Sequence, residues 1–198
     1  SYIPALHVSG RTLPEAWEKA LIAVWEQGTE VRTEYDKKDD NGDFMHPPSK
    51  DASVMVEVKE PFGEPRIHKN FPGGPQELEV YRQEVIEGIH DHWIDPENDK
   101  WTYTYHERIF DYTPTEDLGN SDSPRPFGKV DQIKYTIDKL SQTFYSRRAQ
   151  AVTWMPTADP KTYDPPCLQR IWCRILQNDS GPVLNMNTHW RSRDLYKA

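Results

Sequence analysis

The 198-residue sequence lacks any run approaching the ~20 consecutive apolar residues that a membrane-crossing helix needs, so a helical membrane protein is excluded. Cysteine is scarce: Cys167 and Cys173 are too few for a disulfide scaffold, and no zinc-type pattern surrounds them. Both thiols are expected to be reduced. Ser1-Tyr2-Ile3-Pro4 has neither a basic nor an apolar leader segment, which with the free thiols predicts a cytoplasmic chain. Positive charge is in deficit, with 24 Lys and Arg against 32 Asp and Glu, and the net charge of −8 argues against wrapping nucleic acid. It leaves room for a local arginine cluster that binds a phosphorylated small molecule. Seven His show no metal-ligand spacing, since His90-Asp91-His92 lacks a third partner, so no metal is expected. Internal repeats and sharp breaks in composition are also missing, which predicts a single domain over 1–198. What is abundant is aromatic: seven Trp, ten Tyr and six Phe can build a core despite a mean hydropathy of −0.89.

Periodicity places the elements. Over 14–27, Trp17, Ala20, Leu21, Val24 and Trp25 recur at three- and four-residue steps between Pro14 and Gly28, predicting an amphipathic helix. Residues 36–51 read as an exposed loop. Val54, Val56 and Val58 alternate with Met55 and Glu57, the pattern of a strand. Helices are predicted over 76–90 and over 130–145, the latter with Ile133, Ile137, Leu140 and Phe144 on one face. Segment 94–128 mixes turns with aromatic pieces and includes a loop, Asn-Ser-Asp-Ser-Pro-Arg-Pro at 120–126, expected to be mobile. Strands are predicted at 149–154, 168–176 and 183–190, the last two joined by the turn Asn178-Asp179-Ser180-Gly181. Helices alternating with hairpin-joined strands predict an α+β fold, with helices layered on a mixed, largely antiparallel sheet.

Four groups of residues can carry chemistry. Cys167 follows Asp164-Pro165-Pro166, so a rigid turn delivers it to the start of an apolar strand; it is either a reactive thiol or a buried, inert one. Cys173, inside the strand, reads as packing. Arg147-Arg148, between a helix and a strand, can offer bidentate donors to phosphate or simply end the helix in solvent. Trp190-Arg191-Ser192-Arg193-Asp194 combines phosphate donors with an acceptor. Glu84 and Glu87 lie one turn apart on a helix, where one can turn inward as a general acid/base. A Cys/His hydrolase would need a His partner that the pattern does not supply, His189 being the nearest downstream.

Taken in order, Asp131-Gln132-Ile133, Ser146-Arg147-Arg148, the strand ending at Trp154, Pro166-Cys167, a hairpin and Arg191-Ser192-x-Asp194 resemble the thymidylate synthase family over about residues 129–198. The first helix and Gly28-Thr29 are similar to that family's first helix and phosphate loop, which would make Arg32 a phosphate-binding residue. The resemblance implies a thymidylate-synthase-like fold and transfer of a one-carbon unit from 5,10-methylenetetrahydrofolate to C5 of a pyrimidine nucleoside monophosphate, dUMP becoming dTMP. Cys167 would add as thiolate to C6, with Glu84 as acid/base, preferred to Glu87. Arg191 and Ser192 would hold phosphate and Asp194 would order the pyrimidine and folate region. Tyr105 would be a site tyrosine. Arg147 and Arg148 would reach the partner subunit's phosphate, implying a homodimer.

The sequence also departs from the family pattern. Leu168 stands where the family has His after the nucleophile, Trp172 replaces a Gln five residues after it, and Trp190 replaces the Gln before Arg-Ser. These changes suggest a divergent, archaeal-like branch and leave open a cytidylate or deoxycytidylate hydroxymethylase. The family pattern continues past Arg-Ser-x-Asp with an Asn, a His-x-Tyr pair and a closing segment. The chain is therefore expected to be incomplete at its C-terminus, and a nucleotide-binding fragment without turnover is a further reading.

Overall fold

The computed structural model describes residues 2–98, 100–113 and 128–193. Loop 120–126 and Asp194 lie outside them. The described chain forms two compact units, 2–72 and 73–193.

The first unit contains β1 (Ala5–Gly10), α1 (Leu13–Gln27), β2 (Thr29–Val31), β3 (Ser49–Asp51) and β4 (Ser53–Val58). β1 and β4 pair in parallel from Ala5↔Ser53 to Gly10↔Val58, while β2 and β3 form a short antiparallel pair. A parallel pair requires a crossover, which α1 and the β2–β3 ribbon supply. α1 begins after Thr12 with Pro14 in its first turn, where a missing N–H costs nothing. Its buried residues are Pro14, Ala16 and Ala23, whereas Trp25 is exposed. The predicted helix therefore forms, but it seats its small residues inward. A Cβ at Gly10 would lie 2.4 Å from the Ala16 backbone nitrogen, so this contact admits only glycine.

The second unit contains α2 (Pro75–Glu87), two single 3-10 turns (Asp91–Trp93 and Pro96–Asn98), α3 (Tyr105–Phe110), α4 (Gln132–Gln142), β5 (Gln150–Val152), β6 (Leu168–Asn178) and β7 (Gly181–Trp190). A further 3-10 turn, Asp159–Lys161, follows β5. β5, β6 and β7 form one antiparallel sheet in that order. The β6–β7 hairpin turns where predicted, at Gly181 with φ +116°, a conformation glycine adopts without strain. The α+β class read from the sequence is the class observed, with the strands distributed over three small sheets.

Three polar devices assemble this unit. Asp131 caps α4 by accepting from the Lys134 N–H at 2.8 Å. Gln132 donates to the carbonyls of Arg108 and Val152, both at 2.7 Å, and accepts from the Val152 N–H at 2.9 Å, lacing α3, α4 and β5 together. Arg108 is buried in a bidentate pair with Asp159 at 2.9 and 3.2 Å, and also donates to the Thr153 carbonyl at 3.2 Å. The apolar core behind the sheet is Leu140, Ala149 and Cys173, with Ile171 and Ile175 packed on it. On α4 the buried residues are Thr136 and Leu140, and Ile137 is exposed. The predicted apolar face is thus rotated: Thr136, whose hydroxyl donates to the Gln132 carbonyl at 2.9 Å, occupies an inward position that an apolar count passes over.

Candidate active site

The thiol is positioned by its neighbours on both sides. Pro166 is fully buried and Leu168 is buried, so the chain is anchored before and after Cys167, which is itself partly exposed. The phenolic oxygen of Tyr105, at the start of α3, accepts from the Cys167 N–H at 3.1 Å and from the Leu168 N–H at 3.0 Å. The Tyr105 hydroxyl also shares a hydrogen bond with Tyr103, which favours the protonated form of Tyr103. Burial, then the neighbouring Tyr105, Asp164 and Cys167, hold Tyr103 far above the ordinary phenol range, so it stays protonated. On the other side the Arg191 N–H donates to the Cys167 carbonyl at 2.9 Å, and Cys167 Sγ lies 3.6 Å from Ser192 Oγ.

The Arg191 side chain grips the turn that delivers the thiol. Nε donates to the Pro166 carbonyl at 3.3 Å, and a terminal nitrogen donates to the Pro165 carbonyl at 2.8 Å and approaches Asp164 at 3.5 Å. A planar fork can hold two carbonyls and a carboxylate at once, which an ammonium cannot. Trp190 packs edge-on against Tyr105 at 6.3 Å and stacks under the Arg193 guanidinium at 4.1 Å.

Glu84 and Glu87 part company on α2. Glu87 pairs with Arg82 at 2.8 Å in an exposed network shared with Glu79. Glu84 is mostly buried and accepts from His90 Nδ1 at 3.0 Å. Tyr81, one turn before it, is held above the usual phenol range by partial burial, then by Tyr105 and Glu84, with Arg193 opposing and Cys167 adding to the rise. Tyr81 therefore lies within electrostatic reach of both Glu84 and Cys167. His90 stacks flat on Trp93, with ring centroids 3.7 Å apart at 9°, and Trp101 meets Trp93 edge-on at 5.0 Å.

Arg147 and Arg148 are exposed and stand elsewhere on the unit. Their backbone is held by Trp172, whose indole N–H donates to the Arg147 carbonyl at 3.0 Å. Trp172 lies five residues along the chain from Cys167, about 17 Å on an extended strand, farther than an arginine side chain extends. Arg32 belongs to the first unit, where it donates to the His46 carbonyl at 2.8 Å, approaches Asp36 at 3.3 Å and stacks on Phe44 at 3.9 Å. Among the described residues no group of three or more His, Cys, Asp or Glu could hold a metal. Nothing local in the sequence marks Tyr81, and His90 stands out only in the incomplete metal pattern His90-Asp91-His92; the Tyr-x-Tyr repeat at 103–105 is a local signal for Tyr103.

A partly exposed thiol between a phenol-anchored turn and a serine hydroxyl, with Tyr81 linking it electrostatically to the mostly buried Glu84, defines a candidate thiol-nucleophile site. The thymidylate synthase family model matches residues 75–198, which span this whole site. A candidate thymidylate synthase of Methanococcoides burtonii is 31% identical over 161 residues, covering 81% of this chain and 60% of its own length. One of Methanosarcina barkeri is 30% identical over 188 residues, covering 94% of this chain and 70% of its own. Thermostable thymidylate synthase A from Bacillus subtilis aligns in structure with a TM-score of 0.47 and 14% identity, over 93% of this chain and 66% of its own. The chain belongs to the thymidylate synthase family. It spans 60% of the length of the Methanococcoides burtonii and Methanosarcina mazei relatives.

Proposed function

We propose that the chain carries the catalytic thiol of a pyrimidine nucleotide one-carbon transferase, acting on deoxyuridine monophosphate to form thymidylate. The observation that carries this reading is the seating of Cys167: its N–H is fixed by Tyr105, its carbonyl by Arg191 and its sulfur faces Ser192 at 3.6 Å, inside a family match that includes every one of these residues. A thiol whose backbone is immobilised on both sides adds to an electrophilic ring carbon with little reorganisation. Cys167 attacks C6 of the pyrimidine, which makes C5 nucleophilic. Glu84, mostly buried and close to Tyr81, moves the protons that this addition and its reversal require. Methylenetetrahydrofolate supplies the one-carbon unit and, for a methyl product, the hydride. The stacked His90 and Trp93 beside Glu84, with Trp101 edge-on to them, offer aromatic surface to a heteroaromatic ring of that kind. Ser192 donates to the substrate phosphate, and Arg191 holds the catalytic turn.

Arg147 and Arg148 stand too far along the sheet to serve the thiol of their own chain. Their use is proposed at the partner subunit's phosphate in a homodimer.

Cys167→Ser tests the reading. Turnover with deoxyuridine monophosphate and methylenetetrahydrofolate, followed by folate absorbance and product chromatography, is expected to fall at least a thousandfold while nucleotide binding changes little, because a serine hydroxyl is a far weaker nucleophile at neutral pH. Retention of most activity would overturn it. Leu168, an apolar residue beside the nucleophile, is the observation that favours a second substrate, so the same chromatography is run with cytidine nucleotides. A hydroxymethylated cytosine product would establish the hydroxymethylase reading instead.

A further inference from the structure

Trp172 occupies a distinctive place on the sheet. It pairs with Gln150 on β5 and Asn187 on β7, so its ring shares a face with both. Two residues to either side on β6, Arg170 and Arg174 place their guanidinium carbons 5.8 and 5.3 Å from the indole centroid. Across the strand Arg170 faces His189 and Arg174 faces Asn185. Among the described residues this face therefore carries two arginines, a histidine, a glutamine and two asparagines without a carboxylate, in a chain of net charge −8. The indole N–H leaves the ring edge to bind the Arg147 carbonyl at 3.0 Å. The adjoining backbone is fixed as well: Arg148 N–H donates to Ser146 Oγ at 3.2 Å, and the Ala149 carbonyl accepts from Cys173 N–H at 2.9 Å. The backbone of 147–149 is thus clamped while both arginine side chains point to solvent.

We propose that Trp172 is the positioning residue of a phosphate-binding face formed by Arg147 and Arg148, with the stacked Arg170 and Arg174 holding the indole in place and raising the local positive potential. The inference rests on the proposed phosphate role of Arg147 and Arg148 and extends it to three residues that have no part in that reading. The ring anchors the donor, the donor fixes the carbonyl, and the fixed carbonyl presents the two forks without an ordering cost at binding. A net charge of −8 opposes a dianion at long range, and a local concentration of arginine offsets that repulsion where the phosphate settles.

The test compares Trp172→Phe, which keeps a ring but removes the N–H, with Trp172→Gln, which keeps a donor but removes the ring. Calorimetric dissociation constants are measured on the full chain for deoxyuridine monophosphate and for deoxyuridine. Loss of one neutral hydrogen bond predicts a five- to tenfold weaker monophosphate affinity for Trp172→Phe, about 1 kcal/mol, with deoxyuridine unchanged and a smaller loss for Trp172→Gln. Unchanged monophosphate affinity in Trp172→Phe, or equal losses for both ligands, would overturn the proposal. Should Trp172→Phe fail to fold, Trp172→Gln alone decides: a loss confined to the monophosphate supports the positioning role, and equal losses for the two ligands overturn it. Arg148→Gln separates this inference from the reading beneath it. A loss of monophosphate affinity in Arg148→Gln without one in the Trp172 variants sinks only the positioning role, whereas no loss in Arg148→Gln sinks the phosphate role of the pair.

Discussion

The two cysteines show how far a residue's surroundings set its chemistry. Cys173 sits in the core with Leu140 and Ala149, and burial pushes its thiol above the ordinary range. A raised acid pKa favours the protonated form in the folded state. The stabilisation this brings is complete below the unfolded thiol's pKa and is lost as pH rises through the folded one. Cys167 is partly exposed at the mouth of the strand. Iodoacetamide at pH 8 is therefore expected to label Cys167 and leave Cys173 unmodified until denaturant is added, as peptide mass mapping would show. Labelling of both residues at equal rates in the native protein would contradict the packing described for β6. The same contrast was visible in the sequence only as position: one cysteine behind two prolines, one inside an apolar run. That Tyr105 accepts from the backbone on both sides of the nucleophile was not visible, because the contact spans 62 residues and depends on where α3 lands.

At the level of elements, Gln132 joins three segments through one amide. Both ends are used, two carbonyls accepting from its nitrogen and one N–H donating to its oxygen. Gln132→Ala is expected to cost about 2 kcal/mol, lowering Tm by roughly 4–8 °C in thermal unfolding followed by circular dichroism. Gln132→Glu, of equal size, should cost at least as much, since a carboxylate would face two carbonyl oxygens; a neutral outcome would mean that the lacing is dispensable. Elements with local signals were legible in the sequence: α1 between Pro14 and Gly28, β4 in its valine alternation, and the β6–β7 hairpin around its turn. β1 was not, because Ala-Leu-His-Val-Ser-Gly has weak alternation and becomes a strand only by pairing with residues 48 positions away. The inward faces of α1 and α4 were also misjudged from hydrophobicity alone. Close approach to Gly10 selects alanine over tryptophan, and a satisfied hydroxyl lets Thr136 replace an isoleucine.

For the molecule as a whole, charge and assembly decide what can bind. The proposed homodimer makes a complementation experiment direct. Mixing an Arg148→Gln chain with a Cys167→Ser chain under exchange conditions is expected to restore up to about a quarter of wild-type activity, because half the dimers are mixed at random assembly and each mixed dimer regains one intact site. Heterodimers that form, as native mass spectrometry would show, yet remain inactive would place both residues in the same chain's site. The sequence foretold the order of thiol, arginine pair and Arg-Ser motif along the chain. It could not foretell that the arginine pair lies beyond the Gln150↔Trp172 pair, on the side of the sheet away from the thiol, since distance along a sheet follows from register, which only the paired structure fixes.

The parallel pairing of β1 with β4 also sets an order of events on the emerging polypeptide. Residues 5–10 have no strand partner until residue 58 is available, and bringing them together closes a loop of more than forty residues. The β6–β7 hairpin needs only the turn between Asn178 and Gly181 and can zip within about 1–10 μs. Contacts so distant in sequence form late, so β1 must wait for β4 while the helix between them, α1, is already complete in sequence. In the finished fold the tight seat of Gly10 against Ala16 ties the helix to that late-paired strand, so a side chain added at Gly10 would burden the slowest contact of the unit as well as its packing.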